Sequence, residues 1–498
     1  MRSTPIGVAM LNDERPHVYE QNNEGNVRVV EEWADVIRSK LKCLDGSTPE
    51  VITGSEIITG TRSAQKVGQQ FSRANVKQVV MCYRVWNFPF LAWPFLNSIG
   101  DVPVLSLSNN EGQYPGNVGL LATDGALRQA GKRTHRIVGE IDDEETQEKV
   151  ISWLRASQAL TTIKNEVFGI YGGHSMGMET GYFHLTPTLK TFGTTGRQVD
   201  QLWLQEEMKE VDEEEVEKGL NWLEELLGDR LLYDDEMLTQ ENLKDQLRLY
   251  LAMKAVNEEK GFDFCGLKGQ RELTEKVCLG DVAEMLMNDP YDWNGRKEPT
   301  VCATEADAYS AMTMQLLKYI SGGLPTLFMD VRLYHPDRDI WDWCNSGNHS
   351  SYYARLSADP QENFQDITFH PALEFYFKAG GASVEFNAAP GEMTFARLGL
   401  WDEQPFMVIM GGESLDLPPE ERKELNEQTD PTWPHVHARI DGSFDEFTDL
   451  FPSNHVLGVE GDYVDSLVYL CEIAGITPVV LGSRGEKRRA PIWERVRD

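Results

Sequence analysis

The stretch from residue 300 to residue 335 constrains the fold most, because it reads as strand, helix and strand in succession. Residues 301–304 are short and apolar, and residues 306–320 have helical composition without glycine or proline. Two glycines end this helix, and a second apolar strand follows at residues 326–329. The order predicts a βαβ unit whose two strands are parallel neighbours.

An acidic residue ends each of these two strands, Glu305 after the first and Asp330 after the second. In a βαβ unit both would lie side by side at the carboxyl edge of the sheet, where open α/β folds keep their sites. Neighbouring carboxylates repel unless a cation or a proton separates them. The pair therefore predicts a divalent-metal site in which one carboxylate also acts as a base. Two N-cap residues of the following segments are the alternative, and spacing leaves both open.

Alternation of strand and helix extends over most of the chain and predicts three domains. Buried strands such as residues 76–82 and 102–108 indicate a doubly wound α/β domain over residues 1–163. A second α/β domain follows over residues 164–340. Beyond it, over residues 341–498, closely spaced strands lack regular helices, as in an antiparallel β domain. The predicted fold class is α/β: two Rossmann- or flavodoxin-like domains and a mainly antiparallel β C-terminal domain.

Charge and composition exclude several classes of partner. The chain has 47 Lys and Arg against 80 Asp and Glu, a formal net charge of −33, which repels nucleic acid and anionic lipid. No run of 18 uncharged apolar residues predicts a membrane span. The N-terminus runs directly into a strand, so we expect a cytoplasmic protein. The seven cysteines lack CxxC spacing, which argues against a disulfide framework and a thiolate zinc site.

One short motif could carry chemistry of another kind, whereas the usual nucleotide-binding motifs do not occur. No GxGxxG follows the first strand, and no GxxxxGK[ST] occurs, so the usual phosphate-binding loops are missing from the sequence. The GHSMG motif around Ser175 matches GxSxG, which in hydrolases needs a strand-to-helix turn with an acid and a histidine downstream. The alternative is a tight turn that presents its backbone and Met176 to a pocket.

Histidines and aromatic residues supply further candidates. His455 lies between a Pro/Ser stretch and a glycine-rich turn, and it could be a metal ligand or a structural histidine. By composition alone, four other histidines are equally good candidates for a metal ligand: His335, His349, His435 and His437. Two carboxylates plus one histidine suit Mn²⁺. Arg84 and Trp86 follow a strand, on a loop over the carboxyl edge of the first sheet, and Trp433 lies in DPTWPHVH. Such aromatic faces suit a sugar or core packing.

Several longer motifs resemble the L-fucose isomerase family, whose relatives include D-arabinose isomerases with the same fold. The matching segments keep the family's order and spacing: GGHSMGM (172–178), KGQRELTEK (268–276), DWNGRKEPTVCATEADA (292–308), LFMDVRLYH (327–335), FYFKAGG (375–381), TWP (432–434) and NHVLGVEGDYV (454–464). In the first domain the resemblance rests on the opening IGV, the strand and loop ending in CYRVW, and the α/β pattern.

The resemblance implies an aldose–ketose isomerase that uses Mn²⁺, with Co²⁺ or Mg²⁺ as alternatives, and a cis-enediol intermediate. Its implied metal ligands are Glu305, Asp330 and His455, and the two carboxylates are the implied catalytic groups. The implied sugar contacts are Met176, Gln270, Ser346, Tyr376, Trp433 and Asn454. Thus the second domain would carry the carboxylates, and the third would supply the histidine and sugar contacts.

The first domain would serve substrate recognition and oligomer contacts. Arg15 and Trp86 look like residues that reach a neighbouring subunit's site in this family, which implies a homo-oligomer, hexameric in the family. Lys268 stands where the family usually has glutamine, and Arg84 has no clear counterpart. We predict that both residues contact the substrate, and the protein could then be an isomerase that acts on an acidic or sulfonated sugar. The alternative for Lys268 is an ordinary lysine on the protein surface. A non-catalytic sugar-binding protein on an isomerase scaffold is the alternative from another class.

Overall fold

A computed structural model describes residues 3–43, 45–347 and 349–482. These residues form two compact units: one contains the described residues up to Thr162 together with Asp465–Ala474, and the other contains the described residues of Ile163–Val464 together with residues 475–482. Within the described ranges, none of the helices combines the length and the hydropathy that crossing a bilayer requires.

The first unit is an open parallel sheet with helical connections. Its elements are β1 (Ile6–Leu11), α1 (Pro16–Lys40), β2 (Val51–Thr53), α2 (Thr61–Arg73), β3 (Gln78–Tyr83), α3 (Ala92–Ile99), β4 (Val104–Ser108), α4 (Gly116–Gln129), β5 (His135–Val138) and α5 (Glu144–Ile163). The strand order β2-β1-β3-β4-β5 is the flavodoxin-like order. Strands β1, β3 and β4 consist of buried residues throughout, because helices cover both faces of such a sheet.

The second unit begins with a smaller parallel sheet. Its elements are β6 (Val167–Tyr171), α6 (Leu185–Phe192), β7 (Thr195–Val199), α7 (Gln201–Glu210), α8 (Glu213–Leu227), α9 (Gln240–Lys260), β8 (Phe264–Leu267), α10 (Glu272–Lys276), α11 (Asp281–Asn288), β9 (Tyr291–Asp292), β10 (Gly295–Arg296), β11 (Cys302–Thr304) and α12 (Ala308–Ile320). Strands β11, β8, β6 and β7 pair in that order and are all parallel.

An antiparallel sheet follows in the same unit. Its elements are β12 (Leu327–His335), β13 (Ile340–Cys344), α13 (Pro360–Asn363), β14 (Thr368–Pro371), β15 (Ala382–Glu385), β16 (Gly391–Trp401), β17 (Gln404–Ser414), α14 (Pro419–Asn426), β18 (His435–Ile440), α15 (Phe444–Leu450), β19 (His455–Glu460) and β20 (Thr477–Val480). Between β19 and β20 the chain forms α16 (Val464–Ala474), which from Asp465 onward belongs to the first unit. The order is β16-β19-β12-β13-β18-β17-β20. Because β16 also pairs with β17, the antiparallel strands close into a ring. These sheets confirm the predicted fold class.

The predicted βαβ unit between residues 300 and 335 is wrong in its strand pairing. Strand β11 belongs to the parallel sheet, whereas β12 pairs antiparallel with β13 and β19. All thirteen residues of the connecting helix α12 are buried. A helix that is buried on every side has neighbours on every side, so α12 packs between the two sheets and does not cover one face of a single sheet.

One hydrophobic core serves both sheets of the second unit. It includes Cys265 of β8, Cys302 of β11, Trp343 of β13 and Met410 of β17. The second and third predicted domains therefore share a core, and their boundaries near residues 163 and 340 stay predictions. Residues 483–498 of the predicted third domain lie outside the described residues.

Candidate active site

Glu305, Asp330 and His455 converge although they lie on three separate elements. Glu305 directly follows β11, whereas Asp330 of β12 and His455 of β19 are register partners in an antiparallel pair. The Nε2 atom of His455 lies 3.2 Å from Asp330 Oδ1 and 3.3 Å from Glu305 Oε2. Two carboxylates from two different sheets thus face one imidazole nitrogen.

A buried carboxylate holds the other side of the imidazole ring. His455 Nδ1–H donates to Asp307 Oδ2 at 2.6 Å. Asp307 also caps α12 by accepting from the Ser310 backbone N–H at 2.9 Å. The guanidinium of Arg397, buried in β16, donates to both Asp307 oxygens at 3.0 and 3.1 Å. This arrangement fixes the orientation of the ring and directs Nε2 at the two carboxylates.

The electrostatics of these groups favour positive charge at Nε2. Burial alone would raise the pKa of Asp307, but the charges and hydrogen bonds of Arg397 and His455 outweigh it and hold that pKa well below its ordinary value. Burial alone would lower the pKa of His455, yet Asp307 and the two carboxylates at Nε2 raise it well above its ordinary value. A bound cation would take the place of that proton.

Two buried atoms without hydrogen-bond partners favour a divalent cation at this site. His455 Nε2 and Glu305 Oε2 are buried and lack a hydrogen-bond partner among the described residues. Each such atom costs about 1–3 kcal/mol when it stays unsatisfied. A single cation between them would satisfy both. A donor set of two carboxylates and one imidazole suits Mn²⁺ and related ions.

The backbone around Glu305 is strained. Glu305 and Ala306 have φ angles of 58° and 53°, in the left-handed region that residues other than glycine rarely adopt. Gly266 allows this turn, because a Cβ there would lie 2.9 Å from the Ala306 Cα. Strain of this kind costs about 1–3 kcal/mol per residue and is concentrated at functional sites. Here it accompanies the approach of Glu305 to His455.

Amide groups orient Asp330. Asn345 Nδ2 donates to Oδ2 at 3.1 Å, and Asn454 Nδ2 donates to Oδ1 at 3.5 Å. Strand β12 has a register shift between Val331 and Leu333, immediately after this residue. Such bulges redirect side chains and are common next to active sites. Both oxygens of Asp330 therefore accept a hydrogen bond from an amide group, whereas Glu305 Oε2 accepts none among the described residues.

The predicted sugar contacts of the second unit fall partly into one cluster. Gln270 Nε2 donates to the Tyr376 carbonyl at 3.5 Å, and the Tyr376 ring centroid lies 5.6 Å from that of Trp433. Arg332 lies over the Trp433 ring at 5.1 Å and forms an ion pair with Asp430. Since Arg332 is two residues from Asp330 along β12, this cluster lies beside the carboxylates. Asn454, as described above, contacts Asp330 directly.

The other predicted contacts of this unit lie in loops. Met176 follows β6 and is exposed, while Lys268 follows the neighbouring strand β8, so both lie at the sheet edge that carries Glu305. Lys268 Nζ pairs with Glu272 at 2.9 Å. Ser346 follows β13, one residue after Asn345. Ser175 Oγ is buried without a hydrogen-bond partner among the described residues, so no base activates it for the nucleophilic alternative.

Arg15, Arg84 and Trp86 belong to the first unit. Arg15 follows β1, and the other two follow β3, which lies beside β1 in the sheet. The carboxyl ends of these strands form the switch point of a flavodoxin-like sheet, where such folds bind ligands. Arg15 is held by Asp13, with Nε 3.0 Å from Oδ1. The Arg84 guanidinium lies 3.9 Å from the centroid of the Tyr114 ring.

Sequence reasoning missed several residues around the carboxylates, including Asp307, Asn345, Arg332 and Arg397. Asp307 lies within the motif that contains Glu305. Its carboxylate holds His455 and Arg397, and both partners lie far along the chain, so the motif itself gives no sign of these contacts. Arg397 offered a usable signal, because an arginine inside the apolar segment MTFARLGL predicts a buried ion pair. Two buried acids of α11 were also missed. Burial raises the pKa of one of them, Glu284, to about 8.

A second histidine–carboxylate cluster, which we call the buried trio, consists of Asp342, His435 and His437. One ligand atom from each lies within 4.8 Å of the others, and all three residues are buried. His435 Nδ1 lies 2.8 Å from Asp342 Oδ1, and His437 Nε2 lies 3.7 Å from the same oxygen. This group could bind a metal ion. The sequence offered both histidines by composition but gave no reason to choose Asp342.

Comparisons with known proteins agree with the geometry. Three domain families match in chain order: the first N-terminal domain of L-fucose isomerase over residues 3–165, the second N-terminal domain over 248–322, and the C-terminal domain over 343–481. The L-fucose isomerase of Haemophilus influenzae is 24% identical over 97% of this chain and 93% of its own length. That of Streptococcus pneumoniae is 25% identical over 85% of this chain and 82% of its own length.

The matches cover both α/β regions and the antiparallel region that supplies His455. The convergence of two carboxylates and one imidazole agrees with the aldose–ketose isomerase activity of the relatives. The chain belongs to the L-fucose isomerase family of aldose–ketose isomerases.

Proposed function

We propose that this protein interconverts an aldose of the L-fucose or D-arabinose type and its ketose, with Mn²⁺ bound by Glu305, Asp330 and His455. One observation carries the proposal. His455 Nε2 has no hydrogen-bond partner among the described residues, faces two carboxylate oxygens at 3.2 and 3.3 Å, and belongs to a ring fixed by Asp307 on its far side. A purely structural histidine would not need this arrangement.

The ion would act as a Lewis acid that polarises the substrate carbonyl and so acidifies the neighbouring C–H bond. Asp307 and Arg397 keep His455 oriented for binding that ion, and neither residue has to move during the reaction. Mn²⁺ is the preferred occupant because the donor set mixes oxygen and nitrogen, with Co²⁺ and Mg²⁺ as alternatives.

Proton transfer between the two carbons falls to a carboxylate. We assign it to Glu305, because both oxygens of Asp330 face amide donors, whereas Glu305 can bind the ion through Oε2 and present its second carboxylate oxygen to the substrate. Glu305 would remove the proton next to the carbonyl, giving a cis-enediolate, and return it to the adjacent carbon, while the hydroxyl proton passes from one substrate oxygen to the other, through the cis-enediol. Asp330, held by Asn345 and Asn454, would keep its position throughout.

The neighbouring side chains favour a neutral sugar. Tyr376 and Trp433 offer aromatic faces, and Gln270 and Asn454 offer amide groups for sugar hydroxyls. Lys268 is already neutralised by Glu272 at 2.9 Å, which weakens its case as a receptor for an acidic or sulfonated sugar.

The family resemblance also supports a homo-hexamer in which Arg15 and Trp86 contribute to a neighbouring subunit's site. Light scattering coupled to size-exclusion chromatography measures the oligomeric state. A monomer with full activity would contradict this part of the proposal. The cytoplasmic location stays a prediction.

The decisive assay incubates the protein and Mn²⁺ with L-fucose, D-arabinose, L-arabinose and acidic or sulfonated hexoses, and scores ketose formation. We expect turnover of a neutral aldose, and none with Glu305→Gln as the matched control. A protein that binds these sugars but never forms a ketose would instead be a non-catalytic binder.

Isotope exchange tests the route of the reaction. In D₂O the enediol route incorporates carbon-bound deuterium into the product, because Glu305 exchanges its proton with solvent. A product without deuterium, obtained over many turnovers, would favour a hydride shift.

A further inference from the structure

We propose that the buried trio of Asp342, His435 and His437 is a second metal site, separate from the catalytic one, which holds a structural divalent transition ion of the Zn²⁺ class. It differs from the catalytic site in its ligands and in its access to solvent. Each step of the argument rests on contacts within the antiparallel sheet.

The strands present the three ligand atoms together. Asp342 of β13 is the register partner of His437 on β18, and Cys344 is the register partner of His435. Residues two apart on a strand share a face, so both imidazoles lie on the side of β18 that faces the Asp342 carboxylate. Two imidazoles and a carboxylate form a donor set that Zn²⁺ and similar ions accept.

Hydrogen bonds around the trio have the pattern expected of an outer ligand shell. His435 Nε2–H donates to the Asp430 carbonyl at 3.1 Å, which directs Nδ1 at the trio. The Thr429 hydroxyl donates to Asp342 Oδ2 at 3.0 Å, which leaves Oδ1 as the inward oxygen. Metal-binding histidines usually donate their second N–H to a carbonyl or carboxylate in this way.

His437 decides between a metal site and a set of hydrogen-bonded buried histidines. Its Nε2 is buried without a hydrogen-bond partner among the described residues, and its 3.7 Å distance from Asp342 Oδ1 is too long for a hydrogen bond. Two ligands of one tetrahedral Zn²⁺ lie about 3.4 Å apart, given bonds of about 2.1 Å, so binding would shorten the 3.7 Å His437–Asp342 distance slightly and lengthen the 2.8 Å His435–Asp342 distance. Without an ion, hydrogen bonds to Asp342 and to the Asp430 carbonyl satisfy His435 when both of its nitrogens are protonated, but they leave His437 Nε2 without a partner among the described residues. One ion would bind the inward nitrogen of each histidine.

Burial indicates a structural role. Asp342 and His435 are 0% exposed and His437 is 3% exposed, so no substrate reaches them. The ion would join β13 to β18 and hold the turn that runs from Thr429 to Trp433. Through the Asp430–Arg332 ion pair, that turn is also tied to β12. The second ion would therefore stabilise the platform under the proposed sugar site without taking part in the reaction.

The test measures bound metal per chain by inductively coupled plasma mass spectrometry after loading with Zn²⁺ and Mn²⁺ and removing free ions. We expect two ions per wild-type chain. His437→Gln should lose one ion and keep the one that Glu305→Gln loses, and its melting temperature should fall. His370→Gln is the matched control, because His370 is partly exposed and outside both sites, and it should keep both ions.

Wild-type chains that bind a single ion, lost in Glu305→Gln, would overturn the second site while leaving the proposed function intact. If His437→Gln does not fold, X-ray absorption at the zinc edge of the wild-type protein decides. A shell with two imidazoles and a carboxylate in Glu305→Gln protein loaded with Zn²⁺ supports the site, and the absence of such a shell rejects it.

Discussion

The proposed catalytic cluster of Glu305, Asp330 and His455 and the buried trio both combine carboxylates with imidazole but differ in access and in backbone geometry. Around His455 the carboxylate side chains of Glu305 and Asp330 are 19% and 23% exposed, whereas in the trio Asp342 is fully buried. Exposed carboxylate oxygens can meet a substrate, and sealed ones can only hold the fold together. Solvent access, more than residue identity, therefore separates chemistry from support.

Backbone strain separates the two clusters in the same way. Glu305 has a left-handed backbone, and so does the following Ala306. The trio lies on regular antiparallel pairs of β13 and β18. Strain is retained where the surrounding structure has to position a group for function, and a purely stabilising cluster has no reason to keep it.

The strongest test of this comparison is Glu305→Gln. Because a glutamine cannot accept the proton and is a poorer metal ligand, turnover should fall by about 10²–10⁴-fold or more. Steady-state ketose formation at saturating Mn²⁺ measures the loss, and circular dichroism checks the fold. Activity near the wild-type level would reject the assignment of Glu305.

Asp342→Asn should lower the free energy of unfolding and leave the catalytic rate nearly unchanged. It removes the charge that faces both buried imidazoles, and breaking such a buried pair costs about 3–5 kcal/mol of unfolding free energy. Urea titration measures the change, while kcat of the remaining folded enzyme should stay within about threefold of wild type. A loss of kcat without a loss of stability would mean that the trio takes part in catalysis.

Asp307→Asn probes the support behind His455. Loss of the carboxylate that fixes the imidazole should weaken Mn²⁺ binding by about 10–100-fold. Electron paramagnetic resonance of free Mn²⁺ gives the dissociation constant. Ser310→Ala is the control, because it keeps the carboxylate and removes a neutral hydroxyl that donates to Asp307 at 2.9 Å and accepts from Arg397. Equal affinities of Asp307→Asn and wild type would contradict the role of Asp307.

The loss of unfolding free energy at acidic pH should depend on His349. Burial lowers the pKa of this histidine from 6.5 to about 3, so the folded protein keeps the ring neutral where the unfolded chain protonates it. The neutral ring therefore adds to the free energy of unfolding above pH 6.5. This stabilisation is lost as the pH falls from 6.5 towards 3, at up to about 1.4 kcal/mol per pH unit. His349→Gln should flatten this limb in urea titrations at several pH values. An unchanged slope would show that His349 does not titrate there.

Lys268→Gln should have the smallest effect. Since Glu272 already neutralises this lysine, kcat/KM for a neutral aldose should change by less than about threefold, in keeping with an exposed ion pair. Kinetics with a neutral and an acidic aldose measure it. A selective loss with the acidic sugar alone would revive the charged-substrate alternative.

Local patterns predicted many elements closely. In the acidic segment of residues 203–230, the spacing of Val216, Leu220, Leu223 and Leu227 predicts one face of a helix, and all four residues are buried in α8. Gly228 follows this helix with a positive φ. The pattern of residues 198–202 predicts a strand, but β7 ends at Val199 and Asp200 caps α7. A capping aspartate next to apolar residues looks like the end of a strand, and only the hydrogen bond to Leu202 reveals the cap.

Strand pairing could not be read from the same patterns. Residues 326–329 look like a parallel strand after a helix, but residues 327–329 pair antiparallel with β19, more than a hundred residues further along the chain. Apolar periodicity specifies which residues are buried and leaves open which strand lies alongside. The proposed ligands Glu305 and Asp330 were therefore expected to be neighbours for a reason that the fold does not support.

The sequence by itself determined the alternation of strands and helices, the acidic surface and the motifs that identify the family, because each depends on residues close together in the chain. The tertiary structure decided that Glu305, Asp330 and His455 meet at one nitrogen, that Asp307 and Arg397 support it, and that Asp342 lies between two histidines. These contacts join residues far apart in sequence, and only the packing of two sheets around one buried helix brings them within hydrogen-bonding distance.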